Sequence, residues 1–516
     1  MTSWSDGVKI FCTVMSGWSS LRSCFKWVDD RFERLRRLPL VRIGLYSLFA
    51  SWVLLSDPFG LSSAADKALS DQLGRFRAFV QPVAPAPVTV VAIDYPSIAG
   101  LNNDGNGWME ANDWPLTYAD HGRILRDLAL PKGGEAAPAA VFYDIFFERP
   151  RATSGDLGQL GRILKRLDAD TSAASIHLAG GGQFVPISQL SREQLPPASL
   201  VVSAWEGSGD LYPLQAPLGS AAETKPVATA ANALYQDLCK ARGDDCHWAD
   251  ATDLPDLSIQ WSITARDDCQ AGPLSTARDV VAILHRFVGL GTAIQNPPAE
   301  CMPVHQVRLS QLYGEHPVSL RPPHLKPGEP FVVLVGNVMP SLNDYVASPL
   351  YGQVAGVYLH ANALVNLEEM GQNYVRQSSN QWLILACLLV AILFWMWRSG
   401  TLGYTSRQPK REASIHTSFL SNSLSAAGLS LITLLLVSLT FYLCHMLHVA
   451  PEGWMAFTAF LPLLRETIAA TESNYYKDAP RENTQPDLPA TSCQPEHRSG
   501  LGRYPADPEN SQSRTG

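Results

Sequence analysis

The stretch FVVLVGNVMPSLNDYVASPLYGQVAGVYLHANALVNL, residues 331–367, decides the fold. Its first six residues, FVVLVG, form an unbroken apolar run. Such a run, rich in β-branched residues and too short for a helix, reads as a strand buried on both faces. Behind it, GQVAGVYLHANALVNLEEMGQNY (352–374) reads as a helix, with Val357, Leu359, Ala361, Leu364, Val365 and Leu367 facing a core. The same alternation continues outward. VTVVAID (88–94) is a second buried strand that ends in an acid. LTYADHGRILRDLAL (116–130) is a helix with Thr117 as N-cap and Asp120 in its first turn. AAVFYDIFF (139–147) is a strand with Asp144 near its end, GDLGQLGRILKRL (155–167) a helix and SLVVSAW (199–205) a further strand. Strands alternating with helices imply βαβ units, hence an α/β domain with a mainly parallel sheet. Ligands of such sheets bind outside the C-terminal ends of the strands. Asp94, Asp144 and the pair Gly336–Asn337 all stand there.

The rest of the chain sets this domain in a membrane context. Of its 516 residues 17% are charged, below the ~25% usual in soluble proteins. The net charge of −8, spread along the chain, argues against a nucleic-acid partner, which needs a concentrated basic face. Apolar runs lie at 43–55, 382–397, 424–447 and 454–464. A transmembrane helix needs about 20 apolar residues, ~17 at least. Spans are therefore expected at 38–61, 381–398 and 424–447, with 453–470 either a fourth, tilted span or an interfacial segment. Lys26, Arg31, Arg34, Arg36, Arg37 and Arg42 precede the first run, and Arg398, Arg407, Lys410 and Arg411 follow the second. Because basic flanks stay cytoplasmic, residues 1–37 and 399–423 are expected inside and 62–380 outside. No small-x-small cleavage site follows the first run, so it reads as an uncleaved anchor.

Cysteines agree with this orientation. Cys239, Cys246, Cys269 and Cys301 fall in the outer segment, and an even number in an oxidising compartment reads as two disulfides. Three pairings exist, and four free thiols are the alternative. Proximity favours Cys239–Cys246 and Cys269–Cys301. A zinc site is disfavoured because no C-x-x-C pair occurs among them.

Between the regular parts, AADKALSDQLGRFRAFV (64–80) is amphipathic at helical spacing and reads as a stalk, broken by PVAPAP (82–87). Residues 207–330 are less regular. They hold expected helices at 227–241 and 277–290 and an expected strand at LSIQWSIT (257–264), while AGGGQ (179–183) reads as a turn-rich loop. The tail, 471–516, has almost no apolar residues and reads as disordered.

The quoted segments together resemble the second class of CHASE extracellular sensor domains. The resemblance rests on Asp94, Trp114–Pro115, His121, Asp144 and Phe147 at the start. At the close it rests on Gly336, Asp344, Ser348–Pro349, Gly356–Val357 and His360–Ala361–Asn362–Ala363. Ala355 stands where the family usually has Pro. The resemblance covers about 82–370, strongly at both ends. It implies a periplasmic sensor domain with one span before it and about three after. Family members usually carry a cytoplasmic kinase or cyclase; here the tail leaves room for none, so output is expected to pass to a separate protein.

The candidate ligand-binding residues are Asp94, Trp114, His121, Asp144, Asp344, His360 and Asn362. The three acids suit a cation or polar ligand, since oxygen-rich sites fit hard cations. Their alternative role is to cap loops and helices through backbone N–H groups. For His121, His360 and Asn362 the competing role is to organise helix starts, and for Trp114 to act as a buried anchor. G-x-S-x-G, H-E-x-x-H and P-loop signatures are absent, so no enzyme, cofactor or bound metal is expected. The expected protein is a multi-pass bacterial inner-membrane sensor, homodimeric through stalk and spans. It would detect an unknown small molecule or ion and relay the signal to a partner. A periplasmic scaffold is the alternative.

Overall fold

The computed structural model of the chain describes residues 60–377 apart from 106, 132–135, 207–209, 220–225, 270–295, 315 and 343. It also describes most of 431–458 and a few positions within 48–57 and 386–390. Most of the expected spans, the helix at 277–290 and the tail lie outside these residues. Among the described residues no helix is long and apolar enough to cross a membrane.

A six-stranded sheet organises the domain, and every pairing in it is parallel. Its strands are β1 (Val88–Ile93), β2 (Ala140–Asp144), β3 (Ser175–Ala179), β4 (Leu200–Val201), β9 (His305–Arg308) and β10 (Val332–Asn337). Their spatial order is β4-β3-β2-β10-β1-β9. The chain leaves β1 in one direction to build β2, β3 and β4. It returns on the far side of β1 with β9, then closes the sheet by inserting β10 between β1 and β2. The stretch quoted first therefore supplies the central strand, fully buried along its length.

Alternation along the buried strands divides the core in two. Val88, Val90, Ala140, Phe142, Val332 and Leu334 face one cluster. Val91, Ile93, Val141, Tyr143, Val333 and Val335 face the other. Each fully buried side chain of this size contributes about 1.5–3 kcal/mol, so both faces must be roofed. Helices α2 (Tyr95–Asn102), α3 (Tyr118–Ala129) and α4 (Leu157–Asp168) cover the second face. Helices α6 (Ala230–Arg242) and α7 (Gly356–Met370) cover the first. A short α5 (Gln189–Gln194) lies between β3 and β4, and α1 (Leu61–Val80) leads into the domain where the stalk is expected. Thr117 caps α3 by accepting the Asp120 N–H at 3.1 Å, as the sequence predicts.

Three strand assignments change. SLVVSAW contributes only the two residues of β4. The strand beside β2 is instead SIHLA, which sequence reading passes over because His177 interrupts it and its first three residues are not buried. LSIQWSIT supplies only β8 (Leu257–Ser258), paired antiparallel with β5 (Leu211–Tyr212) outside the main sheet. Beyond β8 that segment is held by side chains. Asn366 donates to the Gln260 carbonyl at 2.9 Å and accepts the Gln260 N–H at 2.7 Å. Two further antiparallel pairs complete the periphery: β6 (Gln215–Pro217) with β7 (Pro226–Ala228), and β11 (Tyr345–Ser348) with β12 (Gly352–Ala355). The disulfides are Cys239–Cys246 and Cys269–Cys301, as proximity favours.

The tightest joint is between β10 and α7. A Cβ added at Gly336 would lie 2.4 Å from the Cβ of Val357, so only glycine lets the helix start this close to the strand. Gly336→Ala is expected to destabilise the domain by about 1–3 kcal/mol through overpacking. Gly74 in α1 has nothing within 4 Å of an added Cβ, and Gly74→Ala is expected to stabilise by ~0.5–1 kcal/mol. Urea midpoints of the two variants check the contrast. Equal effects would show that the β10–α7 approach is not tight.

Candidate functional site

A cavity of about 330 Å³ opens at the C-terminal ends of β2 and β10. Trp114, His121, Asp144, Arg151, Asn337 and Asp344 contribute to its lining, with Phe146, Phe147 and Leu342 as apolar wall. Four of the sequence-predicted residues therefore converge: Trp114, His121, Asp144 and Asp344. His360 stands directly behind Asp144. Asp94 and Asn362 are placed elsewhere.

Asp144 is carried to this edge as the last residue of β2. Burial raises its pKa well above the ordinary carboxylate value, and the neighbouring Asp344 carboxylate raises it further. Asp344 leads into β11, and burial raises its pKa as well. Its backbone carbonyl accepts the Gly356 N–H at 2.9 Å, which ties this acid to the first residue of α7. A Cβ on Gly356 would lie 2.5 Å from Asp344 Oδ1, so a glycine is needed here too.

His360 lies in the first turns of α7, 3.9 Å from Asp144 Oδ2 through Nε2. Burial lowers its pKa to about 3. The contact is thus a neutral imidazole facing an acid that itself resists ionisation, not an ion pair. At Nδ1 the ring meets the Tyr212 hydroxyl at 2.7 Å. That hydroxyl already accepts the Ala231 N–H at 3.0 Å. We assign its proton to His360 Nδ1, which leaves Nε2–H directed toward Asp144. Phe142, Trp205 and Tyr212 all meet the imidazole edge-to-face and hold it in place.

His121 repeats this arrangement on the other face of the sheet. Its Nδ1 meets the Tyr143 hydroxyl at 2.7 Å, and Phe147 packs edge-to-face at 5.1 Å. Burial lowers its pKa to about 3; Asp120 opposes that shift and Arg151 adds to it. The neighbouring Asp120 is a structural hub. Its carboxylate accepts the N–H groups of Glu110 and Ala111, the Thr117 hydroxyl and Arg123. This fixes the loop that carries Trp114 to the cavity.

The two remaining candidates serve other contacts. Asp94 caps α2 by accepting the Ser97 N–H at 2.8 Å, and its other oxygen lies 3.7 Å from Arg308. Asn362 donates to the Gln260 carbonyl at 3.2 Å. Two residues along a helix rotate a side chain by about 200°, so Asn362 points away from the face that His360 presents to Asp144.

Three contributors carried no usable sequence signal. Tyr212 sits in a two-residue strand within the irregular region. Arg151 follows Pro150 in a loop. The glycines of AGGGQ prove structural: added Cβ atoms at Gly180, Gly181 and Gly182 would strike Leu218, the Val185 carbonyl and the Ala204 carbonyl. Gly181, at φ +75°, lines the cavity. For Asn337 the sequence shows only a place at a strand end. It is 9% exposed, and its Oδ1 has no hydrogen-bond partner.

The class defined by this geometry is an α/β domain with a cavity, lined in part by polar side chains, at the C-terminal edge of a parallel sheet. The family model of the CHASE2 domain matches residues 46–399. The chain belongs to the CHASE2 domain family, a family of extracytoplasmic sensor domains. Neither a curated protein nor a solved structure matches it.

The raised Asp144 pKa has a direct consequence for stability. An acid whose folded pKa exceeds its unfolded value of about 3.9 contributes fully below that value and loses its contribution as pH rises toward the folded pKa. Asp144→Asn removes this loss. The variant's melting temperature, relative to the parent's, is expected to climb from pH 4 upward. The losses from neutral His121 and His360 between pH 6.5 and about 3 occur in both proteins and cancel. A pH-independent difference would show that Asp144 titrates normally.

Proposed function

We propose that the protein is a membrane-anchored sensor whose ligand enters the cavity beside Asp144 and Asp344. The observation that carries this reading is the cavity's polar lining. Both acids resist ionisation, and a buried amide oxygen lacks a partner, so the site is preorganised for a polar guest. Perturbed groups gathered in a cleft mark functional sites. We read the site as binding rather than catalytic, because His121 and His360 are each engaged at Nδ1 by a tyrosine hydroxyl and held neutral.

A relay route supports the reading. Helix α7 begins at the Asp344 carbonyl and ends beside Gly371. The chain then bridges through Arg376 to Leu257 on one side and Val449 on the other. Val449 belongs to the segment after the third apolar run. Asp66 of α1 accepts the Gly453 N–H at 2.7 Å, and Arg77 reaches Gln260 at 3.0 Å. Stalk, exit segment and the 445–453 segment thus meet on one side of the domain. A ligand that favours one placement of α7 would shift this junction by its differential affinity for two states. We place the domain in the periplasm of a multi-pass, homodimeric inner-membrane protein that signals to a separate partner.

Two measurements test the proposal. Alkaline-phosphatase fusions after Ala65 are expected to be active and those after Thr405 inactive; activity at Thr405 overturns the topology. Thermal-shift screening of the full chain in detergent with ions, nucleotides and metabolites is expected to find a stabilising ligand whose effect is lost in Asp344→Asn. If no compound stabilises while membrane pull-downs return a stoichiometric partner, the periplasmic scaffold reading replaces the sensor.

A further inference from the structure

We propose that the cavity binds a small zwitterion, an α-amino acid with an apolar side chain. The inference rests on the sensor reading above and deepens it.

Three side chains of the lining, Asp144, Asp344 and Asn337, carry acceptor oxygens. Among the described residues no N–H or O–H group lies within hydrogen-bond distance of the Asp144 carboxylate, whose nearest polar contact is His360 Nε2 at 3.9 Å. The same holds for the Asp344 side chain, whose connection to α7 runs through its backbone carbonyl. Asn337 adds an amide oxygen without a partner. A buried acceptor left unpaired, as Asn337 Oδ1 is, costs about 1–3 kcal/mol, and with the half-buried Asp144 and exposed Asp344 carboxyls in the same lining it suits a guest with several donors. An ammonium offers three, and its charge relieves the repulsion between the two acids that burial and proximity create.

The lining also holds a group of opposite character. Arg151 lines the cavity, and among the described residues no acid pairs with its guanidinium, while Arg149 on the rim pairs with Glu148 at 3.2 Å. A free guanidinium is suited to a carboxylate through two parallel hydrogen bonds. Trp114, Phe146, Phe147 and Leu342 line the same cavity and favour an apolar group on the guest.

Size separates this class from a bare cation. The cavity's volume of about 330 Å³ sits at the lower end of the range for small-molecule sites, ~300–1,000 Å³. A divalent ion held by the acids would leave the aromatic wall and Arg151 without a role.

The experiment is isothermal titration of the full chain in detergent with L-leucine and L-phenylalanine. Phenethylamine, 3-phenylpropionate, calcium and magnesium serve as further titrants. The amino acids are expected to bind, and each phenylalanine analogue lacking one charge to bind at least tenfold more weakly. Asp344→Asn is expected to abolish amino-acid binding. Arg151→Gln, at an exposed position, is expected to bring phenylalanine down to the affinity of phenethylamine. Equal binding of phenylalanine and phenethylamine in the parent protein overturns recognition of the carboxylate. Heat from calcium or magnesium alone overturns the zwitterion in favour of a cation. If no titrant binds, the ligand class is wrong; the sensor reading still stands if the wider screen yields a ligand sensitive to Asp344→Asn, and falls with it if the screen is empty.

Discussion

The approach of α7 to β10 at Gly336 is the constraint on which the rest depends. A strand and a helix joined through a single hairpin can pack at many distances, and here the absence of a side chain on Gly336 sets the shortest. Val357 fills the place a Cβ would occupy. That contact fixes the start of α7 over the C-terminal edge of the sheet. It also fixes where Gly356 meets Asp344 and how deep His360 sits behind Asp144. The steric demand of one missing methyl group thus becomes the position of a carboxylate, a histidine and a cavity wall.

Burial then does the electrostatic work. Two histidines, on opposite faces of the sheet, are held neutral by aromatic rings and capped by tyrosine hydroxyls, so neither supplies positive charge to the cavity edge. Desolvation disfavours the charged form of Asp144 and of Asp344, the Asp344 charge adds to the effect on Asp144, and among the described residues neither carboxylate pairs with a lysine or arginine. In an ordinary core such unpaired polar groups would be replaced by hydrocarbon, since burial without partners costs stability. Their presence at the C-terminal edge of a parallel sheet, where backbone geometry leaves a crevice, is what the proposed binding role draws on. The polar groups farther from the edge show the contrast. Asp94, Asp120, Asn362 and Asn366 each bond backbone groups and hold irregular segments in place.

The long excursion between β4 and β9 has a comparable logic. It has little regular structure of its own, and its segments are fastened by asparagine side chains from α6 and α7 and by two disulfides. Tyr212 reaches from this region into the core and orients His360. The excursion is therefore part of the site's support rather than an appendage to a finished sheet.

The sequence by itself determined the fold class, the central strands β1, β2 and β10, the helices α3, α4, α6 and α7 and the cap at Thr117, and it favoured the two disulfides among the pairings open. Each is written in local pattern: apolar runs of strand length, helical spacing, a capping threonine, cysteines close in the chain. It also placed Asp144 among the candidates, because strand ends in parallel sheets are where ligands bind, and Asp344 through the resemblance of the closing segment. Tertiary structure alone decided which candidates meet. Asp94 and Asp144 carry the same signature of an acid at the end of a buried strand, yet the insertion of β10 between β1 and β2 leaves one capping a helix and the other lining a cavity. Tyr212, Arg151 and Asn337 join the site through contacts between distant segments, and no periodicity in a single chain encodes those. Short strands such as SIHLA, between β2 and β4, and HQVR, at the edge beside β1, were equally illegible, since their place is fixed by a neighbour's hydrogen bonds rather than by a pattern of their own.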